Sequence, residues 1–154
     1  MLTVTKQQTK VGLQIELSGE IEENVNFDHL VGPFEGNLIV NCRGVIRLNS
    51  VGVKTWIRYF QSLKYQNKFF KFVDVPQPLI EQLNMISNFS CGGEVESILL
   101  PFSCVRCQTE FVAPCKIADL RSAGLQIPKA KCEKANCAAR FDDEPEEFLY
   151  FLQD

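Results

Sequence analysis

Five of the seven cysteines in this 154-residue chain fall within 34 residues: Cys104, Cys107, Cys115, Cys132 and Cys137. Cys42 and Cys91 stand alone in the first two thirds. The crowded segment, 104–154, is only 51 residues long and has few large apolar side chains before Phe141. So short a stretch does not reach a stable fold on burial alone and needs a covalent or metal staple. An odd cysteine count argues against a disulfide framework, and the opening MLTVTKQQTK has no apolar signal core. The expected setting is the cytoplasm, where thiols stay reduced. The asymmetry also sets an expected boundary, with one unit over 1–102 and a cysteine-rich unit over 103–154.

The spacing of the cysteines points to a metal. Cys104-Val-Arg-Cys107 is a C-x2-C pair and Cys132 to Cys137 a C-x4-C pair, with 24 residues between them. Two such pairs on hairpin loops can converge on one ion, and Zn2+ takes four thiolates in a tetrahedron. Cys104, Cys107, Cys132 and Cys137 are therefore the expected ligands of a structural Zn2+. The pattern resembles a zinc ribbon with its second knuckle widened. Cys115 is the spare, with Cys132 or Cys137 the ligand it would replace. An iron–sulfur cluster also takes four thiolates, and a C-x2-C pair can serve a thiol or metal redox sensor. Free or buried thiols are the chemically inert alternative.

Charge follows the same division. Residues 1–103 carry 9 Lys and Arg against 10 Asp and Glu, residues 104–140 carry 7 against 3, and residues 141–154 carry none against 6. The basic excess around the cysteines raises nucleic-acid binding as an alternative function. Phe111 is the only aromatic there, and the acidic tail can lie against the basic segment, so nucleic acid is the less favoured partner. In that tail, FDDEPEEFLYFLQD, Asp142 or Asp143 is placed to cap a final helix with Pro145 in its first turn. Phe148, Leu149, Phe151 and Leu152 would then dock on the body of the protein. No run of about 18 apolar residues occurs, so no membrane-spanning helix is expected.

The first hundred residues alternate strand and helix patterns. Gly12 to Gly19 places Leu13, Ile15 and Leu17 on one face of a strand. A short strand over Glu20 to Glu22 and a short helix before Gly36 follow. Asn37 to Cys42 reads as a strand buried on both faces. Beyond Ser50, the positions Val53, Trp56, Ile57, Phe60 and Leu63 form a helical stripe. Lys68 to Val75 is a further strand, Pro76 and Pro78 open a helix to about Ile86, and Glu94 to Phe102 holds a last apolar strand. Such alternation implies an α/β fold, a mostly parallel sheet with helices packed on it.

The segments LSGEIEE (Leu17 to Glu23), LIVNCRG (Leu38 to Gly44), LNSVGVKTW (Leu48 to Trp56) and FFKFVDVPQPLIEQLNMI (Phe69 to Ile86) resemble a STAS domain, the domain typified by bacterial anti-sigma factor antagonists. The similarity covers roughly residues 10–102. The family's turn commonly reads Asp-Ser, one residue, then Gly. Here Asn49 stands for the Asp, Ser50 for the Ser and Gly52 for the Gly. The resemblance implies a non-enzymatic, cytoplasmic module for regulatory protein–protein binding in bacterial signalling. Its implied partner is an anti-sigma factor or serine kinase, its docking surface Asn49, Ser50, Val51, Gly52 and Lys54, and its switch phosphorylation of Ser50. The family's last helix is replaced here by the cysteine-rich segment.

Ser50 also has a purely local reading. A serine at the start of a helix caps it, contributing about 1 kcal/mol. Arg43, Arg47, Lys54 and Arg58 lie close enough in sequence to pair with a phosphate there. Neither a phosphate-cradling glycine loop nor a nucleophile–histidine arrangement appears, and the sole histidine, His29, lies in the short helical patch before Gly36.

Overall fold

A computed structural model describes residues 1–134 and 137–153. The alternation of GLQIELSG becomes β2 (Gly12–Ile21), which absorbs the expected short second strand. β1 (Thr3–Gln8) pairs antiparallel beside it. β1 is not foreseen from the residue pattern, because only Val4 in it is even half-buried and its alternation is too weak to register. α1 (Phe27–Val31) leads to β3 (Asn37–Leu48), twice the length of the apolar run that announced it. α2 (Ser50–Tyr65), β4 (Phe70–Val73), α3 (Gln77–Met85) and β5 (Glu94–Val95) follow. The five strands form one mixed sheet in the order β1-β2-β3-β4-β5, parallel from β2 onward.

The helices cover one face of this sheet. Leu13, Ile15, Leu17, Leu38, Val40, Cys42, Phe70 and Phe72 are buried beneath them. The alternate positions Gln14, Glu16, Ile39, Asn41, Lys71 and Val73 line an open surface on the other side. Trp56 anchors the covered face: its ring stacks on Phe89 at 5.2 Å and its Nε1–H donates to the Phe89 carbonyl at 3.1 Å. A buried indole is stable only with such a partner.

A second sheet grows from the end of the first. β6 (Ser97–Cys104) continues β5 after a bend at Glu96, and is flanked by β7 (Glu110–Lys116) and β8 (Ala139–Phe141) in the order β7-β6-β8. Phe72 pairs with Val95, and beyond the bend Val75 still bridges Ile98. Asp74 takes a left-handed conformation here, φ 51°. Its N–H donates to Ser97 Oγ at 2.9 Å, and its carboxylate accepts from Ser97 Oγ and from Arg43. The expected single strand from Glu94 to Phe102 is thus two strands, in two sheets, separated by Glu96. The expected boundary at 102/103 falls inside β6.

α4 (Ile117–Ser122) follows β7, and the chain closes with α5 (Pro145–Phe148) and a 3-10 turn (Tyr150–Leu152). The residue before α5 is Glu144, and its side chain makes no capping bond, so neither Asp142 nor Asp143 caps this helix. Phe148, Leu149 and Leu152 are buried. Among the described residues no helix is long and apolar enough to cross a membrane.

Candidate functional site

The cysteine centre is built by strand register. Cys104 ends β6 opposite Ala139 of β8, and Cys137 precedes Ala139 by two residues. Across the other edge of β6, Ser103 pairs with Glu110, so residues 105–109 form the β6–β7 loop. Across it the Cys104 N–H donates to the Thr109 carbonyl at 2.9 Å and the Gln108 N–H to the Cys104 carbonyl at 2.8 Å. Gln108 is left-handed, φ 57°, which turns the chain tightly enough to bring Cys107 back beside Cys104. The second pair sits on its own small hairpin. Lys131 bridges Ala138, and the Cys132 N–H donates to the Cys137 carbonyl at 2.9 Å.

The four thiols meet at this end of the sheet. Cys104, Cys107 and Cys132 present Sγ atoms that all lie within 4.8 Å of one another. Cys137 Sγ lies 2.8 Å from Cys104 Sγ, and Cys107 Sγ lies 3.4 Å from Cys132 Sγ. Four thiolates at ~2.3 Å from a tetrahedral ion stand ~3.8 Å from one another. The donor set fits such an ion in number and softness, and a bound ion would spread the Cys104–Cys137 pair apart.

Electrostatics at the centre favours one thiolate first. The Cys107 backbone N–H donates to Cys104 Sγ at 3.5 Å and, with the neighbouring Cys137 thiol, holds the Cys104 thiol down to about 6. Cys137 is pushed up to about 11, chiefly because it shares its proton with Cys104. Either thiol of the pair can be the donor, and a bound cation would displace the shared proton. The Cys107 thiol donates to Thr109 Oγ1 at 3.1 Å, a contact that nothing in the cysteine spacing announces.

Cys115 stays apart. It lies on β7 opposite Ile98, toward the other end of the sheet, and burial raises its thiol. Cys42 and Cys91 are buried, and burial raises both.

At the start of α2 the cap is Asn49, not Ser50. Asn49 Oδ1 accepts the Gly52 N–H at 2.8 Å, and its own carbonyl accepts the Val53 N–H at 2.9 Å. Asn and Ser are both good caps, and the helix begins one residue earlier than a serine cap would place it. Ser50 is the first helical residue, exposed, and its hydroxyl makes no hydrogen bond among the described residues. Asn49 Nδ2 donates to Glu23 at 2.8 Å, which keeps that carboxyl below its usual range. Gly52 is buried: a Cβ there would lie 1.9 Å from the Ile21 carbonyl oxygen, so this residue lets α2 cross β2 closely and cannot itself face a partner.

Of the four cations expected near Ser50, two are engaged. Arg43 pairs with Asp74 at 3.3 Å, and Arg47 with Glu20 at 3.0 Å and Glu22 at 3.5 Å. Lys54 and Arg58 are exposed on α2. The strand-to-helix junction also carries two exposed apolar side chains, Ile46 at 64% and Val51 at 47% exposure. His29 is exposed on α1. Comparison with known proteins gives no family model that matches the chain and no curated protein that matches it.

Proposed function

We propose that this chain is a non-enzymatic regulatory docking module, STAS-like in its first sheet, with a zinc-ribbon-like second sheet held by a structural Zn2+. The partner surface is the turn Asn49, Ser50, Val51 with Lys54 and Ile46 beside it, and the partner is a regulatory protein such as an anti-sigma factor or serine kinase. The observation that carries this reading is the unused Ser50 hydroxyl. Capping has passed to Asn49, so an exposed serine sits between two exposed apolar side chains with no local structural duty. A cytoplasmic setting suits a centre that needs reduced thiols.

Phosphorylation of Ser50 is the second reading, favoured by its place at a helix N-terminus, where a phosphate meets the dipole. The Glu23 carboxylate held at that turn works against it, as does the prior pairing of Arg43 and Arg47. Docking without a phosphate therefore ranks first.

The four soft thiolates select Zn2+ over hard cations, and a closed four-coordinate site of this kind supplies folding energy. Cys104, Cys107, Cys132 and Cys137 would hold it. Native mass spectrometry of protein from its own cells tests both parts. One zinc, lost on acidification, is expected. A partner that co-purifies with the wild type and is lost with Ser50→Arg and Val51→Asp is expected too, with zinc retained in both variants. Equal partner recovery from all three proteins removes the docking surface. A phosphate mass absent from Ser50→Ala would reverse the order of the two readings.

A further inference from the structure

The cysteine centre connects to a distant contact through a short chain of packed groups. β8 is only three residues long and is held on β6 at Phe102–Phe141, Ser103–Arg140 and Cys104–Ala139. Its upstream end is Ala139, two residues after Cys137. Its downstream end is Phe141, which meets Phe102 at 5.6 Å and Phe148 of α5 edge-on at 5.2 Å. Phe148 ends α5 within the terminal segment, whose Leu149 and Leu152 are buried with it. Asn84 of α3 holds that segment three times, donating to the carbonyls of Glu147 and Phe148 at 3.1 Å each and accepting the Phe151 N–H at 2.8 Å. Arg121 adds a bond to the Leu152 carbonyl at 3.4 Å.

Neither piece stands alone. A four-residue helix followed by one 3-10 turn has no intrinsic stability and exists only where it is docked. A three-residue edge strand depends on what fixes its ends. A metal bond from Cys137 would fix the approach to one end of β8, and the seat of Phe148 on Phe141 fixes the other.

We infer that metal occupancy of the four-cysteine centre and docking of residues 145–153 on α3 are one linked equilibrium, transmitted through β8 and the Phe141–Phe148 contact. The inference rests on the metal reading above. Linkage is reciprocal: if the metal favours the docked segment by some factor, the docked segment tightens metal binding by the same factor. The centre is then a latch for a strap over α3, and not only a staple for its own sheet.

Two measurements test this. Zn2+ and Co2+ affinities are taken by chelator competition for the wild type, Phe148→Ala and Asn84→Ala, none of which alters a cysteine. Both variants are expected to bind at least about 5-fold more weakly, the lower end of usual coupling. Hydrogen exchange on the wild type, with and without chelator, needs no variant. Amides of 145–153 are expected to exchange at least about 5-fold faster without metal, through a local opening in which α2 and β3 remain folded. Unchanged affinity in both variants, or exchange in 145–153 indifferent to metal, overturns the linkage. Failure of the wild type to take up either metal overturns the metal centre itself, and the two failures are therefore distinct.

Discussion

Asn49 and Ser50 are adjacent, both good capping residues, and only one of them can accept the Gly52 amide. The structure gives that role to Asn49, and the two substitutions should separate cleanly. Asn49→Ala is expected to lower stability by about 1 kcal/mol through loss of the cap. Ser50→Ala should stay within about 0.5 kcal/mol, as surface changes do. Urea denaturation followed by Trp56 fluorescence decides it, and equal losses would mean that the serine caps after all. The sequence placed a cap here but one residue late, because cap chemistry is shared by four residue types and a helix start is sharp only in the geometry. The cysteines were far more legible. Their spacing named Cys104, Cys107, Cys132 and Cys137, and these four Sγ atoms converge. Glu23 was not legible, since its partner Asn49 lies 26 residues away across a strand crossing.

Elements with strong periodicity could be read from the sequence, and those defined by their neighbours could not. α2 and α3 carry apolar stripes and fall where the pattern predicts. β1 is an edge strand with five exposed residues, and α4 has six residues, too few for a period to register. The corner between β5 and β6 depends on Asp74 and Ser97 meeting from separate segments. No local signal in Glu94 to Phe102 encodes it. The crossing of α2 over β2 also depends on a neighbour, here the carbonyl of Ile21. Gly52→Ala would set a methyl 1.9 Å from that oxygen, and overpacking of this kind costs about 1–3 kcal/mol. Thermal melting should show the loss even though the substitution raises helix propensity. An unchanged melting point would mean that α2 is free to shift.

Across the whole molecule, most of the buried apolar side chains form one cluster. It runs from Leu13 and Phe72 in the first sheet through Ile98, Leu100 and Phe102 to Phe148 at the C-terminus. A chain divided at 102/103 would place that boundary inside this cluster. Metal binding should therefore stabilise both sheets together. With free Zn2+ at 100 times its Kd, the gain is about 2.7 kcal/mol, or roughly 5–10 °C in Tm for a chain of this size. The shift should appear in Trp56 fluorescence, although Trp56 lies on the first sheet's helical face. A fluorescence midpoint that ignores zinc would show that the two sheets melt separately.

The corner at Glu96 has a further use. β6 carries its eight residues away from the first sheet as one strand, about 24 Å long at ~3.4 Å per step. The cysteine centre lies at the far tip, tied to the start of β6 by the β7 ladder, with β8 joining over the last three residues. High-spin cobalt bound at the four cysteines would put a paramagnetic beacon at the end of a built-in ruler. Pseudocontact shifts of nuclei throughout the chain would then report the angle between the two sheets in solution, with no added label.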